Sequence, residues 1–146
     1  MALKMFSFAG LLFTALALVP AMAHVLELPN KMSLSRENYL TVQQIYRGWA
    51  LVGFIVGAAL ISPLALTIGL RNHPTVFALA LTAFLCIAGT QVIFWTFTFP
   101  VNQSTHNWTR LPEQWEELRR QWEYSHAASA GLNFIALIAL IILVLV

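Results

Sequence analysis

The sequence predicts an all-α membrane protein, a bundle of four transmembrane helices that forms one domain over residues 1–146. Of the 146 residues, 59% are hydrophobic and only 10% are charged, whereas about a quarter of the residues in soluble domains are charged. Four apolar runs are each long enough to cross about 30 Å of hydrocarbon. These runs cover residues 5–28, 46–70, 75–99 and 127–146, with long connections at 29–45 and 100–126.

The first run has two interpretations. Lys4 precedes the apolar stretch, and residues 21–23 read Ala-Met-Ala, a pattern typical of a signal peptide that is cleaved after residue 23. Helical periodicity nevertheless continues past that point to Pro29, where proline predicts a stop. This continuation favours a membrane span.

Short connections and prolines delimit the second and third runs. Only residues 71–74 separate them, so we expect a tight antiparallel hairpin. Pro74 and Pro100 flank the third run and predict its start and its stop. Gly53 and Gly57 have the spacing that lets a neighbouring helix approach closely, which we expect within the bundle.

The two long connections contain further helices. Ser35 is a suitable N-cap for a helix in the first connection. Residues 112–126 predict an amphipathic helix that continues into the fourth span, because acidic side chains near its start suit the positive end of the helix dipole.

Charge and cysteine content limit the function classes. The net charge of +2 arises from few charged residues, which excludes the basic surface that nucleic acid requires. The only cysteine, Cys86, can form no intrachain disulfide. Lysines and arginines are commoner on the long connections, which places those connections in the cytoplasm. We expect a multi-pass protein of the plasma (inner) membrane.

Polar and aromatic residues concentrate at the membrane face that carries the long connections. Such residues are costly at membrane depth and usually serve a function. In the last helix five of them share one helical face, which we expect to look into the bundle. These five are Trp115, Arg119, Trp122, Glu123 and His126.

Two spacings at this face predict a metal site. His24-x-x-Glu27 lies on the first helix and Glu123-x-x-His126 on the last. Two such pairs supply two imidazoles and two carboxylates, a ligand set that suits a transition metal. Alternatively, the two histidines hold a haem between the helices.

Two further alternatives need no cofactor. One is an acid–base site in which His24 or His126 moves a proton and a glutamate orients it. The other is purely structural, with Glu123 paired to Arg119 or Glu27 paired to Arg47.

Four aromatic residues are candidates for lining a planar ligand, although tryptophans at this depth are also typical of the interfacial belt. They are Tyr46, Trp95, Trp115 and Trp122.

Several stretches resemble a known family. They are His-Val-Leu-Glu-Leu-Pro-Asn-Lys at 24–31, Tyr-Arg-Gly-Trp at 46–49, Pro-Val-Asn at 100–102, and Trp115-x3-Arg119-x2-Trp122-x3-His126. Together they resemble the small four-helix membrane family of unknown function that includes the fungal anthrone oxygenases. The resemblance implies a four-helix fold and insertion of molecular oxygen into an activated polycyclic phenol. It also implies site residues at Asn102, Trp115, Arg119, Trp122 and His126.

We therefore expect a membrane-embedded oxidoreductase of the oxygenase type, whose lipophilic, aromatic substrate enters from lipid. The expected catalytic residues are His126, Glu123, Arg119 and Asn102, with Arg119 holding an anionic oxygen. Expected partners are the bilayer, the small molecule, and either a second copy of the chain or another membrane protein. The alternative is a noncatalytic accessory or assembly protein whose polar cluster is structural. A carrier is disfavoured because four spans have no inverted repeat.

Overall fold

The computed structural model describes residues 2–146, and that part of the chain is helical without strands. Four helical segments are long and apolar enough to cross a membrane: Ala2–Met32, Trp49–Gly69, Pro74–Ser104 and Trp115–Leu145. The predicted all-α, four-helix fold is therefore confirmed. The α-helices in chain order are α1 (Ala2–Met32), α2 (Arg36–Gln43), α3 (Val52–Gly69), α4 (Pro74–Ile93), α5 (Phe99–Ser104) and α6 (Trp115–Leu145).

The four long helices form a closed ring. Helix α1 packs against α3 and α6, and α4 packs against the same two helices. Small side chains dominate the shared core and let the helices approach closely, as membrane bundles require. The buried core consists of Ala17, Ala59, Leu66, Ala80, Ala83, Ile87, Ala136, Ala139, Leu140 and Leu143. Large side chains such as Leu26 and Phe54 point outward, so the apolar outer surface contacts lipid.

Helix α1 continues past Pro29 to Met32, so the predicted stop at Pro29 is wrong. A proline near the end of a helix removes a single hydrogen bond, and neighbouring groups in a bundle can compensate. Beyond the proline, Arg119 of α6 donates hydrogen bonds to the carbonyls of Lys31 (3.3 Å), in the last turn of α1, and of Leu34 (3.0 Å), just after it. This extra turn places Lys31 inside the bundle, where it is only 2% exposed.

The predicted stop at Pro100 is also wrong. A π-helical turn at Phe94–Thr98 precedes it, and the chain then continues as α5. In this turn the Phe97 carbonyl accepts a 2.9 Å hydrogen bond from the Gln121 side chain of α6. The extension carries Asn102 to the side of α6.

Three predicted boundaries are close to those observed. The Ser35 hydroxyl accepts a hydrogen bond from the Asn38 backbone and caps α2. Helix α3 ends at Gly69 and α4 begins at Pro74, as the hairpin requires. The amphipathic helix does continue into the fourth span without a break, although it begins at Trp115 instead of Pro112.

The prediction that a neighbouring helix of the bundle approaches closely at Gly53 and Gly57 is wrong. A Cβ added at either position would have no heavy atom within 4 Å outside its own stretch of helix. Gly89 of α4 makes a close approach to another helix instead, because a Cβ there would lie 3.1 Å from Cδ1 of Leu132 of α6.

Candidate functional site

The ammonium group of Lys31 is the centre of the polar cluster. Its Nζ lies 2.8 Å from Oε2 of Glu27, 3.2 Å from Nδ1 of His24 and 3.5 Å from Oε1 of Glu123. It also donates to the hydroxyl of Tyr46, which itself donates to Glu27. A lysine ammonium has three hydrogens to donate. Because acceptors surround Lys31, each of these hydrogens has a partner although the cation is buried.

Helical spacing explains how these residues meet. His24, Glu27 and Lys31 follow each other at i, i+3 and i+7 and therefore share one face of α1. Glu123 and His126 are three residues apart on α6 and look back at that face. The prediction that these histidines and glutamates gather at one membrane face agrees with the structure.

Glu123 is completely buried, with 0% exposure. Its Oε1 accepts a 2.9 Å hydrogen bond from Tyr39, whose oxygen accepts one from Gln43. Its Oε2 has no hydrogen-bond partner among residues 2–146, and the nearest imidazole nitrogen, Nδ1 of His24, is 3.9 Å away. A buried carboxylate requires a countercharge, and Lys31 supplies it.

The two histidines stack on each other. The ring centroids of His24 and His126 are 4.1 Å apart with planes inclined by 21°. Trp122 packs edge-on against both rings, at 4.9 Å from His24 and 4.3 Å from His126. Nε2 of His126 is buried and has no hydrogen-bond partner within the described chain.

The phenols of Tyr39 and Tyr46 remain protonated over a wide pH range. Burial raises the pKa of Tyr39 far above its usual value, and the neighbouring negative charge of Glu123 raises it further. Burial likewise raises the pKa of Tyr46, together with its hydrogen bond to Glu27. Both hydroxyls are therefore permanent donors to the two carboxylates.

Arg119 has a role that the sequence did not predict. Its guanidinium lies 4.6 Å from the ring centre of Trp115 and 5.4 Å from that of Tyr39, and its Nη1 binds the carbonyls at the end of α1. The pairing expected with Glu123 is thus replaced by the contact of Glu123 with Lys31. Arg47 binds the side chain of Gln44 instead of Glu27.

The remaining predicted site residues divide into two groups. Asn102 accepts a 2.8 Å hydrogen bond from the indole of Trp122 and so joins the edge of the cluster. Trp115 packs on Tyr39, with ring centroids 6.1 Å apart. Trp95 is 60% exposed and packs on Phe99, so the structure does not bring it to the site as predicted.

The predicted metal and haem sites find no support. Residues 2–146 contain no group of three or more His, Cys, Asp or Glu arranged to hold a metal ion, because Lys31 binds three of the four expected ligands. A haem between the histidines does not fit either, since His24 and His126 are in direct ring contact and leave no space for a porphyrin.

Sequence reasoning missed Lys31, Tyr39 and Gln43 as site residues. In the sequence Lys31 counts among the basic residues of the first long connection, yet its spacing of four residues from Glu27 and seven from His24 is a usable signal. Tyr39 and Gln43 are likewise four residues apart on α2. Nothing in the sequence indicates that α2 folds onto α6.

An apolar groove of about 400 Å³ runs along the lipid side of α1 beside α6. Its lining includes Ala23 and Leu26, which lie on the same turn of α1 as His24 and Glu27. These two residues place the end of the groove at the same level along α1 as the polar cluster, although no residue of the cluster lines the groove.

These features define the class of the protein: a multi-pass, four-helix membrane protein with a buried charged cluster at one end of the bundle. Comparison with models of protein families, with curated proteins and with solved structures gave no match. The resemblance to the family of the fungal anthrone oxygenases therefore stays a prediction.

Proposed function

We propose that the protein is a membrane-embedded oxidoreductase of the oxygenase type, which acts on a lipophilic aromatic molecule by acid–base chemistry in the plasma (inner) membrane. One observation carries the proposal: Nε2 of His126 and Oε2 of Glu123 are buried without protein partners, directly beside the Lys31 ion pairs. Unpaired buried polar groups are costly, and a site that acts on a ligand is a physical reason to keep them.

The residues present suit a reaction that begins with proton removal. His126 takes a proton from an acidic C–H group of the substrate, and the Glu123 carboxylate stabilises the resulting imidazolium. The positive charge of Lys31 stabilises negative charge on the substrate oxygen.

The oxidant is molecular oxygen. The substrate carbanion gives its electrons to oxygen, a C–O bond forms, and protonation yields a hydroperoxide. Loss of water from that hydroperoxide leaves a ketone. The carbon loses two hydrogens and gains one oxygen atom, while the second oxygen atom leaves in water.

The groove along α1 supports a lipophilic substrate. All its lining side chains are apolar, and it faces lipid. A molecule dissolved in the bilayer can lie there while its polar end reaches the turn that carries His24 and Glu27.

Oxygen uptake tests this proposal. The purified protein in detergent is supplied with anthrone, and the oxygen consumed is compared with the ketone formed. The proposal predicts one oxygen molecule consumed per ketone, at a rate that depends on the amount of protein. Uptake equal to that of detergent and substrate alone would contradict it.

The second candidate function is a noncatalytic accessory or assembly role. The observation that favours it is that the same polar contacts join separate elements: Tyr39 of α2 to Glu123 of α6, and Arg119 of α6 to the end of α1. This role predicts that Glu123→Gln unfolds the bundle or releases a membrane partner, while no activity is lost.

A further inference from the structure

The contact between Lys31 and His24 determines which nitrogen of His24 carries hydrogen. Lys31 Nζ lies 3.2 Å from Nδ1 of His24. A lysine ammonium can only donate hydrogen bonds, so Nδ1 must accept with its lone pair. The ring is then neutral and its hydrogen is on Nε2.

Neighbouring carboxylates balance the positive charge of Lys31. Two carboxylate oxygens, from Glu27 and Glu123, lie within 3.5 Å of its Nζ. The lysine therefore keeps its role as a donor while it is buried.

The His24 ring is also held against rotation. It stacks on His126 at 4.1 Å, and Tyr46 and Trp122 pack at 4.7 Å and 4.9 Å between ring centres. A flipped ring would lose the contact between Nδ1 and Lys31, so the enclosure and the hydrogen bond favour the same orientation.

We infer that Lys31 is a positioning residue that fixes His24 as the Nε2–H tautomer and thereby gives the two stacked histidines different roles. His24 offers a hydrogen at Nε2 and does not act as a base. His126, whose Nε2 has no protein partner, is left as the proton acceptor. The division of roles in turnover rests on the proposed function, whereas the tautomer itself does not.

Nitrogen NMR of protein with ¹⁵N-labelled histidine tests the tautomer directly in detergent. The chain has four histidines, and the signals of His24 are assigned by their loss in His24→Gln. The expected spectrum of the unaltered protein shows His24 with a hydrogen on Nε2 and none on Nδ1. A hydrogen on Nδ1 would overturn the inference.

Variants test whether Lys31 is the cause. In Lys31→Met the tautomers of His24 are expected to mix, whereas Lys31→Arg, which keeps donors, retains the Nε2–H form. Lys4→Met is the matched control, because Lys4 is the only other lysine and lies exposed at the far end of α1. An unchanged His24 spectrum in folded Lys31→Met would contradict the inference.

Lys31→Met leaves Glu123 buried beside no cation and can fail to fold. The double variant Lys31→Met/Glu123→Gln removes both charges and carries the same test. If neither variant folds, the position of the hydrogen on His24 in the unaltered protein still tests the inference. The two proposals fail separately: a wrong tautomer with normal oxygen uptake contradicts this inference, and a correct tautomer without uptake contradicts the proposed function.

Discussion

Tyr39 of α2 and Glu123 of α6 are both completely buried, and the tyrosine hydroxyl donates a 2.9 Å hydrogen bond to the carboxylate. The bond joins residues 84 positions apart. It fixes the short helix α2 over the polar end of the bundle, so that the connection between α1 and α3 becomes part of the site.

Removing that hydroxyl should destabilise the protein. In Tyr39→Phe, Oε1 of Glu123 loses a charged hydrogen bond, at a cost of about 1.5–3 kcal/mol. Thermal unfolding in detergent, followed by circular dichroism, measures the loss. Tyr124→Phe is the matched control because Tyr124 is 57% exposed. Equal melting temperatures for the two variants would contradict the assigned role of Tyr39.

The ion pair between Lys31 and Glu123 should show strong coupling. Lys31→Met alone leaves a buried carboxylate without its countercharge, with an expected loss of about 3–5 kcal/mol. Lys31→Met/Glu123→Gln should lose less than Lys31→Met, since no unpaired charge remains. A double-mutant cycle of unfolding free energies measures the coupling. Strictly additive losses would rule out a direct interaction.

Alkaline pH should weaken the fold. Burial raises the pKa values of Tyr39 and Tyr46, and the adjacent Glu123 and Glu27 raise them further. A tyrosine in the unfolded chain ionises at about pH 10. Above that pH the unfolded chain loses protons that the folded chain retains, so stability is complete below about pH 10 and falls as pH rises further.

Melting temperature measured against pH checks this dependence. Tyr39→Phe/Tyr46→Phe should be less stable at neutral pH and should show a shallower decline at high pH. The account of the two phenols fails if the unaltered protein and the double variant decline in parallel.

The hydrogen bond from Trp122 to Asn102 should stabilise the extension beyond Pro100. Asn102→Ala removes the acceptor and should cost about 1 kcal/mol. Asn72→Ala, at an exposed position in the opposite loop, should cost little. Chemical unfolding in mixed micelles measures the free energy of unfolding of the two variants. An equal loss in both would contradict a stabilising role for the hydrogen bond between Trp122 and Asn102.

The fold could be predicted from the sequence because length and hydropathy alone determine the four spans. The ends of the spans could not, since Pro29 and Pro100 were expected to stop their helices. Arg119 and Gln121 of α6 bind carbonyls near these prolines, and such contacts between distant residues leave no local pattern. Helical phase correctly brought His24, Glu27, Glu123 and His126 together, yet Lys31 was not among the expected site residues, although its spacing from His24 and Glu27 places it on the same face of α1.

Under the proposed function, the buried cluster is catalytic and not only structural. The most direct measurement is anthrone-dependent oxygen uptake by His126→Gln, compared with His106→Gln, whose histidine is exposed in the loop before α6. The account predicts that His126→Gln remains folded and loses about 100-fold or more of the rate, while His106→Gln keeps it. Full activity in folded His126→Gln would contradict the account.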